Sequence, residues 1–426
     1  MILLFSLFIL IYFYKKTQHL NQNDKVVLFL LLGVVIIGLF LYRAFLEYSA
    51  GWLYGIPGTD TLSHYLGAER IAQGYSWDEL SDLGMRFKEL GIGTIGYFIY
   101  TEFLAIVLFF PVLFDMHVNI YLVTLSQCVI IAIIGINFSI VFSKMLKIES
   151  RSCKFTIYAF LLCAANFITA YRLLRETWSV LLFSESLCIL SQKRKKNMVA
   201  SALMIVVSIL LRPYMILLEI PLIVYFVFNE KLGMVASITC LAILVFGSTL
   251  IAALAPIFSI GWGMSTVALE EVVYYLLFPN VLNQSKILLG WNFQSSINYL
   301  SGVNVPLVNY TQSVWNVYML CIFGAAIIVK TLAKIKVGFR VKTRNATTES
   351  YTTYMWIFIM LSICALYSIV YASSTMMLRH KMMIVPSIVY LAQKCFSYMK
   401  RQNGGIMVFN CAFIALIFAV LVIALF

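Results

Sequence analysis

The fold class is decided by residues 26–46, whose sequence is VVLFLLLGVVIIGLFLYRAFL. A transmembrane helix needs about 20 consecutive and mainly apolar residues to cross the hydrocarbon core of a bilayer. This run is long enough, and residues 57–74, which read PGTDTLSHYLGAERIAQG, open a polar stretch downstream of it. A long polar stretch between apolar runs predicts a loop outside the bilayer that the flanking helices hold in place.

The composition extends the same interpretation to the whole chain. Of its 426 residues, 62% are hydrophobic and only 12% are charged, whereas a soluble domain averages about 25% charged residues. The net charge of +13 comes from basic residues that cluster in short loops between apolar runs. This clustering is the positive-inside pattern of membrane proteins, so we expect membrane lipids rather than nucleic acid as partners.

The nine cysteines are scattered along the chain, mostly in apolar runs. They form no CxxC pair and no His/Cys spacing of the kind that binds zinc. We therefore expect no disulfide, no metal site and no cofactor.

The alternation of basic loops predicts an all-α polytopic integral membrane protein with about twelve transmembrane helices. The whole chain, residues 1–426, is expected to form a single transmembrane domain. Two long loops, at 47–93 and 261–312, are expected on the external face, and a basic loop at 330–350 is expected in the cytoplasm. The first short basic loop, at 15–25, places the N-terminus outside.

One segment leaves two topologies open. Residues 94–114 are apolar and long enough to cross the membrane. If they cross, the basic loop at 144–154 falls outside, against the positive-inside rule. If they form a re-entrant or interfacial segment, that loop and the later basic loops fall inside. We prefer the second interpretation, because non-spanning backbone at membrane depth is tolerated where protein buries it.

A set of basic residues breaks the positive-inside rule, because they lie at the external ends of predicted spans: Arg172, Arg175, Arg212, Arg379 and Lys381. Ionisable residues in such places usually face the bundle interior and mark a substrate path. The planar fork of arginine also matches phosphate, to which it donates two parallel hydrogen bonds. We therefore predict that this set binds a substrate diphosphate.

The alternative is that each of these residues snorkels or pairs with a nearby acid, as Arg175 would with Glu176. Arg43, which also lies near the outer end of a predicted span, is interpreted as a lone snorkelling residue.

Three residues are candidates for general acid–base catalysis: Asp60, His64 and Glu176. Asp60 is the first choice, because a Pro-Gly turn precedes it and a helical pattern follows it. The same position suits an N-cap, so that Asp60 or Thr59 would cap a helix over residues 62–72. His64 lies four residues further on, near the same helix face. A lone histidine is also commonly structural, and that alternative stays open.

External arginines beside a large external loop suit a substrate with a phosphate at the membrane surface and a lipid tail in the bilayer. Lipid-linked sugars have this form. Their transfer needs a base for the acceptor hydroxyl and cations for the departing phosphate or diphosphate.

Four short motifs resemble those of the bacterial O-antigen and capsular repeat-unit polymerases (Wzy-type), which are related to polytopic GT-C-like glycosyltransferases. The motifs are PGTDTLSHYLGAERIAQG at 57–74, YRLLRETW at 171–178, LLRPYMILL at 210–218 and LRHKMMIVPSIVYLA at 378–392. The resemblance implies a glycosyltransferase of the bacterial inner membrane. Such an enzyme polymerises undecaprenyl-diphosphate-linked oligosaccharide at the periplasmic face, in O-antigen, lipopolysaccharide or capsule biosynthesis.

The resemblance also assigns roles to individual residues. Asp60 stands where these enzymes carry an acid in their first loop, and Arg175, Arg212 and Arg379 stand where a diphosphate clamp is expected. The doubled acid of many GT-C first loops is absent, since Asp60 lies between two threonines, and this favours a metal-free polymerase. A chain-length regulator protein is a further partner that the resemblance implies.

Other functions remain open. The first is a GT-C transferase that moves one sugar from a polyprenyl phosphate donor. The second, of another class, is a flippase for lipid-linked oligosaccharides. A flippase is expected to show two similar halves and short loops, and this sequence shows neither.

Overall fold

The computed structural model describes residues 2–18, 20–50, 59–75, 92–109, 116–149, 153–163, 166, 175–192, 197–246, 315, 318–319, 321–331, 346–371, 382–401, 406–411 and 414. Over these ranges the chain forms helices and turns and no strand, so the all-α prediction is confirmed there. The second long loop at 261–312 lies outside the described residues, as do most of 330–350 and three predicted site residues, Arg172, Arg379 and Lys381.

The helices are α1 Ile2–Thr17, α2 Gln22–Ala50, α3 Thr59–Ala72, α4 Ile92–Phe109, α5 Met116–Met145, α6 Lys154–Leu161, α7 Glu176–Ser191, α8 Met198–Leu211, α9 Ile216–Val227, α10 Glu230–Phe246, α11 Ala346–Tyr371 and α12 Val385–Arg401. A 3-10 turn, Pro213–Met215, joins α8 to α9. Most of these helices coincide with the apolar segments of the sequence, because an apolar run bounded by charged or turn residues can satisfy its backbone hydrogen bonds only internally once water is excluded.

The described helices expose large apolar side chains and also bury some polar ones. Large apolar side chains such as Leu4, Phe8 and Val34 are exposed on α1 and α2. Polar side chains such as Ser6 and Ser208 are buried between helices instead. A contiguous exposed apolar surface marks a site of contact with a membrane or with another protein.

Two described segments, Gln22–Ala44 and Ile120–Met145, are long and apolar enough to cross a membrane by length and composition. Shorter apolar helices occur at Phe98–Val107, Met198–Leu211, Pro213–Val227, Cys321–Thr331 and Tyr351–Ile363. The apolar, helical character of the chain is therefore as expected, while the number of about twelve spans stays a prediction.

Helices α1 and α5 run in the same direction. Near their starts, the hydroxyl of Ser126 donates a hydrogen bond to the hydroxyl of Ser6, with 2.9 Å between the oxygens. Near their ends, the ammonium of Lys16 donates to Oδ1 of Asn137 over 2.9 Å. The residue numbers in these two contacts increase together along both helices, so α1 and α5 are parallel.

Helix α7 shares this direction. The amide of Asn137 on α5 donates to the hydroxyl of Ser184 over 3.1 Å. About two turns further along both helices, the ammonium of Lys144 donates to the backbone carbonyl of Ser191 over 2.7 Å. Three helices, α1, α5 and α7, therefore begin at one end of the bundle and end at the other.

Helices α3 and α4 pack at the end where α1, α5 and α7 begin, which we call the α3 end. A separate apolar core there joins Tyr65 of α3 and Tyr100 of α4 to Ile2, Ile120 and Leu211, which lie at or near the ends of α1, α5 and α8. Helix α3, which comes from the first polar stretch of the sequence, is thus packed against the ends of longer helices.

Helix α3 begins earlier than the sequence predicts. It starts at Thr59 rather than at residue 62, so Asp60 lies in its first turn. The side chains of Thr59 and Asp60 are outside the described part of the structure, so the capping alternative stays a prediction. A carboxylate in the first turn still interacts favourably with the helix dipole.

Candidate functional site

The interface between α7 and α8 is built from serines. The hydroxyl of Ser179 donates to the backbone carbonyl of Ser208, and the hydroxyl of Ser208 donates to the carbonyl of Ser179, both over 2.9 Å. Further along, the hydroxyl of Ser201 donates to the carbonyl of Ser186 over 3.3 Å. Small polar residues let two helices approach closely in an apolar environment. These pairs show that α7 and α8 are antiparallel, so that α8 ends where α7 begins.

Glu176 and Arg212 meet where this interface reaches the α3 end. A terminal nitrogen of the Arg212 guanidinium donates a hydrogen bond to Oε1 of Glu176. Only 1% of Glu176 and 7% of Arg212 are exposed. Arg212 has an extended backbone (φ −145°, ψ 97°), as expected for a residue before proline, and this conformation ends α8 beside the start of α7.

Arg175 lies next to this pair in the chain and is also buried, with 3% of its surface exposed. It immediately precedes the first residue of α7. The sequence suggested Arg175 as the partner of Glu176, but the carboxylate of Glu176 binds Arg212, which is 36 residues away. Two buried arginines and one buried carboxylate thus lie at the start of α7 and the end of α8, and the carboxylate is paired with Arg212.

Helices α3 and α4 contribute the neighbouring side of the cluster. Arg175 and Glu176 both lie within electrostatic range of the hydroxyl of Tyr100 on α4. The side-chain amide of Gln127 on α5 donates to that hydroxyl over 3.2 Å. The ring of His64 packs edge-on against the ring of Tyr100, with 5.1 Å between centroids.

His64 is buried within α3, in the helix that the sequence predicts there. Its Nδ1 forms a hydrogen bond of 3.0 Å with the hydroxyl of Thr101. This bond, together with the contact to Tyr100, fixes the orientation of the imidazole ring. The local geometry therefore suits the structural role as well as the catalytic one.

Arg43 is a residue whose position the sequence did not reveal. It is 0% exposed, so its interpretation as a snorkelling residue is wrong. Its guanidinium donates to the hydroxyl of Thr124 on α5 over 3.1 Å. Thr124 lies one turn before Gln127, so Arg43 reaches the same part of α5 that supports Tyr100. The available signal was the arginine itself, since a cation inside an apolar run usually faces the bundle interior.

The structure thus brings together three of the predicted site residues, Arg175, Glu176 and Arg212, and places His64 close by. Asp60 lies one turn before His64 in α3, but its side chain is outside the described part of the structure, as are Arg172, Arg379 and Lys381. Within the described ranges, no three His, Cys, Asp or Glu side chains are grouped as metal ligands would be. The cluster contains guanidinium groups that can bind an anion and a carboxylate, that of Glu176, which binds the guanidinium of Arg212.

No protein-family model, curated protein or solved structure matches the chain.

Proposed function

We propose that the chain is a multi-pass glycosyltransferase of the bacterial inner membrane that polymerises undecaprenyl-diphosphate-linked oligosaccharide repeat units at the periplasmic face. The observation that carries this proposal is the buried cluster of Arg175, Glu176 and Arg212 at the α3 end. Fixed cations in a site shielded from water stabilise the charge that develops on a departing diphosphate. Arginine provides the geometry that a diphosphate requires.

The direction of the helices supports the proposed topology. If α1 crosses inward and α2 crosses outward, a further crossing by residues 94–114 would make α5 antiparallel to α1. The two helices are parallel, which supports a re-entrant or interfacial α4. The contacts of α4 agree with this, since Phe103 packs against Phe5 and Trp178, which lie near the starts of α1 and α7.

The charge distribution supports the sidedness. Lys15 and Lys16 lie in the last turn of α1, and Lys144 lies in the last turn of α5. These lysines are at the end of the bundle opposite to α3. Under the positive-inside rule that end faces the cytoplasm, and the α3 end with its arginine cluster faces the periplasm.

The proposed reaction is a displacement at the anomeric carbon of the donor sugar. The acceptor hydroxyl oxygen forms a bond to this carbon as the bond from the carbon to the diphosphate oxygen breaks. A general base takes the hydroxyl proton, and undecaprenyl diphosphate leaves with the electron pair. Arg175 and Arg212 stabilise the leaving group, with Arg172, Arg379 and Lys381 as further candidates.

Asp60 is our first candidate for the base and Glu176 the second. Because Glu176 already binds Arg212, it is better suited to orient that guanidinium than to receive a proton. Helix α3 carries Asp60 in its first turn, and its neighbour one turn on, His64, packs against Tyr100 beside the cluster. His64 is the third candidate.

Deletion of the gene tests the function. Loss of a polymerase should leave surface lipopolysaccharide or capsule with one repeat unit instead of a ladder. Loss of a flippase would remove the repeat unit from the surface altogether, and loss of a single-sugar transferase would leave an incomplete repeat. Either of the last two results would overturn the proposal, and a plasmid copy should restore the ladder in a polymerase mutant.

Cysteine accessibility tests the sidedness. Tyr75, at the end of α3, is exposed, and position 340 is in the predicted cytoplasmic loop. Both variants are made in a chain without its native cysteines. A membrane-impermeant reagent should label Tyr75→Cys from the periplasm. It should label Arg340→Cys only after the inner membrane is permeabilised. Labelling of both from one side would overturn the topology.

A further inference from the structure

Glu219 is a buried acid that the proposed reaction does not use. It is the single charged residue between positions 213 and 227, in the apolar helix α9, and it is 0% exposed. Neither of its carboxylate oxygens has a hydrogen-bond partner among the described side chains. An ionisable residue inside an apolar helix is costly to ionise and commonly has a function.

The helices packed against Glu219 and its helix include α7, whose charged residues are already engaged. Glu176 binds Arg212, and Glu185 binds the ammonium of Lys16 over 2.8 Å. Lys16 and Arg212 thus form ion pairs with acids other than Glu219.

The charged residues of α10 and α11, which also pack against α9, lie in the first turns of those helices. Glu230 pairs with Lys147 over 3.7 Å, and the ammonium of Lys231 lies over the ring of Tyr351. Glu349 of α11 has a side chain outside the described part of the structure, and it is an acid. Helix α8 carries no charged residue from 198 to 211. No described cation on these helices is thus available as a counter-ion for Glu219.

The hydroxyl of Ser208 on α8 is within electrostatic range of the Glu219 carboxyl, although it forms no hydrogen bond with it. That hydroxyl has one hydrogen, which it donates to the carbonyl of Ser179. The hydroxyl of Ser179 is likewise committed to the carbonyl of Ser208. In this arrangement the hydrogen of Ser208 is directed to Ser179, which leaves the Ser208 oxygen as an acceptor on the side of Glu219. A carboxylate only accepts hydrogen bonds, whereas a protonated carboxyl donates one.

We propose that Glu219 is a proton-binding site within the α7–α8–α9 interface, where its buried carboxyl holds a proton. The proton is the ligand that this surrounding accepts, because a buried carboxylate without a counter-ion or donor is strongly disfavoured. The site shares Ser208 with the contact that sets Glu176 beside Arg212. Release of the proton would place an uncompensated charge in that interface and loosen it.

Infrared difference spectroscopy on the full chain in lipid vesicles tests this proposal. The wild-type spectrum minus that of Glu219→Gln should show the carbonyl band of one protonated carboxyl at neutral pH. The matched control, Glu185→Gln, removes an ion-paired acid and should show carboxylate bands instead. Carboxylate bands in the Glu219→Gln difference would overturn the proposal.

Thermal unfolding provides a second measurement that does not depend on the spectra. As the pH rises from about 4.3 towards mildly alkaline values, the wild type should lose thermal stability relative to Glu219→Gln, because over this range the carboxyl is ionised in the unfolded chain but protonated in the folded protein. Equal pH profiles for the two proteins would overturn the proposal. Both measurements are made without substrate, so their outcome is distinct from that of the glycosyl-transfer proposal.

Discussion

The guanidinium of Arg212 binds the carboxylate of Glu176 at the end of a helix–helix interface that Ser179 and Ser208 hold together. The serine pair sets the spacing of α7 and α8, and the ion pair lies one turn nearer the α3 end on both helices. Changes in the packing of these two helices should therefore alter the position of both charges. The geometry of the candidate site therefore depends on the packing of α7 against α8.

The first prediction concerns the ion pair itself. Glu176→Gln and Arg212→Ala should each destabilise the protein by about 3–5 kcal/mol, because breaking a buried pair leaves one charge without its partner. The double variant Glu176→Gln/Arg212→Ala should lose less than the sum of the two single losses. The measurement is thermal or denaturant unfolding of the purified protein.

The matched control for this pair is the exposed ion pair of Lys154 with Asp24, in which 51% of the lysine side chain is exposed. Asp24→Asn should change stability by about 0–1 kcal/mol. Additive losses for Glu176 and Arg212, or losses as small as that of the control, would show that the two charges do not act as a buried pair.

The second prediction concerns the parallel packing of α1 and α5. Ser6→Cys and Ser126→Cys, introduced together into a chain without native cysteines, should form a disulfide under mild oxidation, because the two hydroxyl oxygens are 2.9 Å apart. Ser6→Cys with Ser143→Cys is the control, since Ser143 lies at the far end of α5. A cross-link in the control pair and none in the first pair would indicate antiparallel helices and a spanning α4.

The bounds of the helices follow largely from the sequence. Residues 198–211 are predicted as one apolar segment, and α8 has these same bounds, because basic residues precede it and an Arg-Pro pair ends it. Helix α3 is different, since its sequence is largely polar and no apolar run marks its start. The sequence therefore placed the start of α3 three residues too late.

The contacts of the site follow from the sequence only in part. The arginines at the predicted external ends of spans include Arg175 and Arg212, which are both buried, and Arg212 binds Glu176 at the α3 end. The partner of Glu176 was missed because nearness in the chain favoured Arg175, whereas the antiparallel α7–α8 packing brings in Arg212. Arg43 was misjudged because the sequence gives its depth along α2 but not the face that meets α5.

The third prediction concerns the proposed diphosphate clamp. Arg175→Ala should lower the polymerisation rate about 10²–10³-fold, as loss of one preorganised donor does in other enzymes. Arg175→Lys should restore little of the rate, because an ammonium lacks the two parallel donors of a guanidinium. The measurement is the length distribution of surface polymer at equal amounts of protein in the membrane.

Arg70 provides the control for the clamp, because it lies in the last turn of α3 and packs over the ring of Tyr75, away from the cluster. Arg70→Ala should give near wild-type polymer. If Arg175→Ala is as active as Arg70→Ala, the buried arginine is structural and the clamp is wrong.

The last prediction concerns the general base. Asp60 lies in the first turn of α3, where a carboxylate stabilises a helix by about 0.3–1 kcal/mol through the helix dipole. Asp60→Asn would lose at most that small stabilisation, so the variant should fold and insert normally. Loss of a general base lowers a rate by about 10²–10⁴-fold, so the same variant should form almost no polymer. Glu69→Gln, in the same helix, is the matched control and should form polymer of normal length. Normal polymer from Asp60→Asn would remove Asp60 as the base and leave Glu176 and His64 as the candidates to be tested next, by Glu176→Gln and His64→Asn under the same conditions.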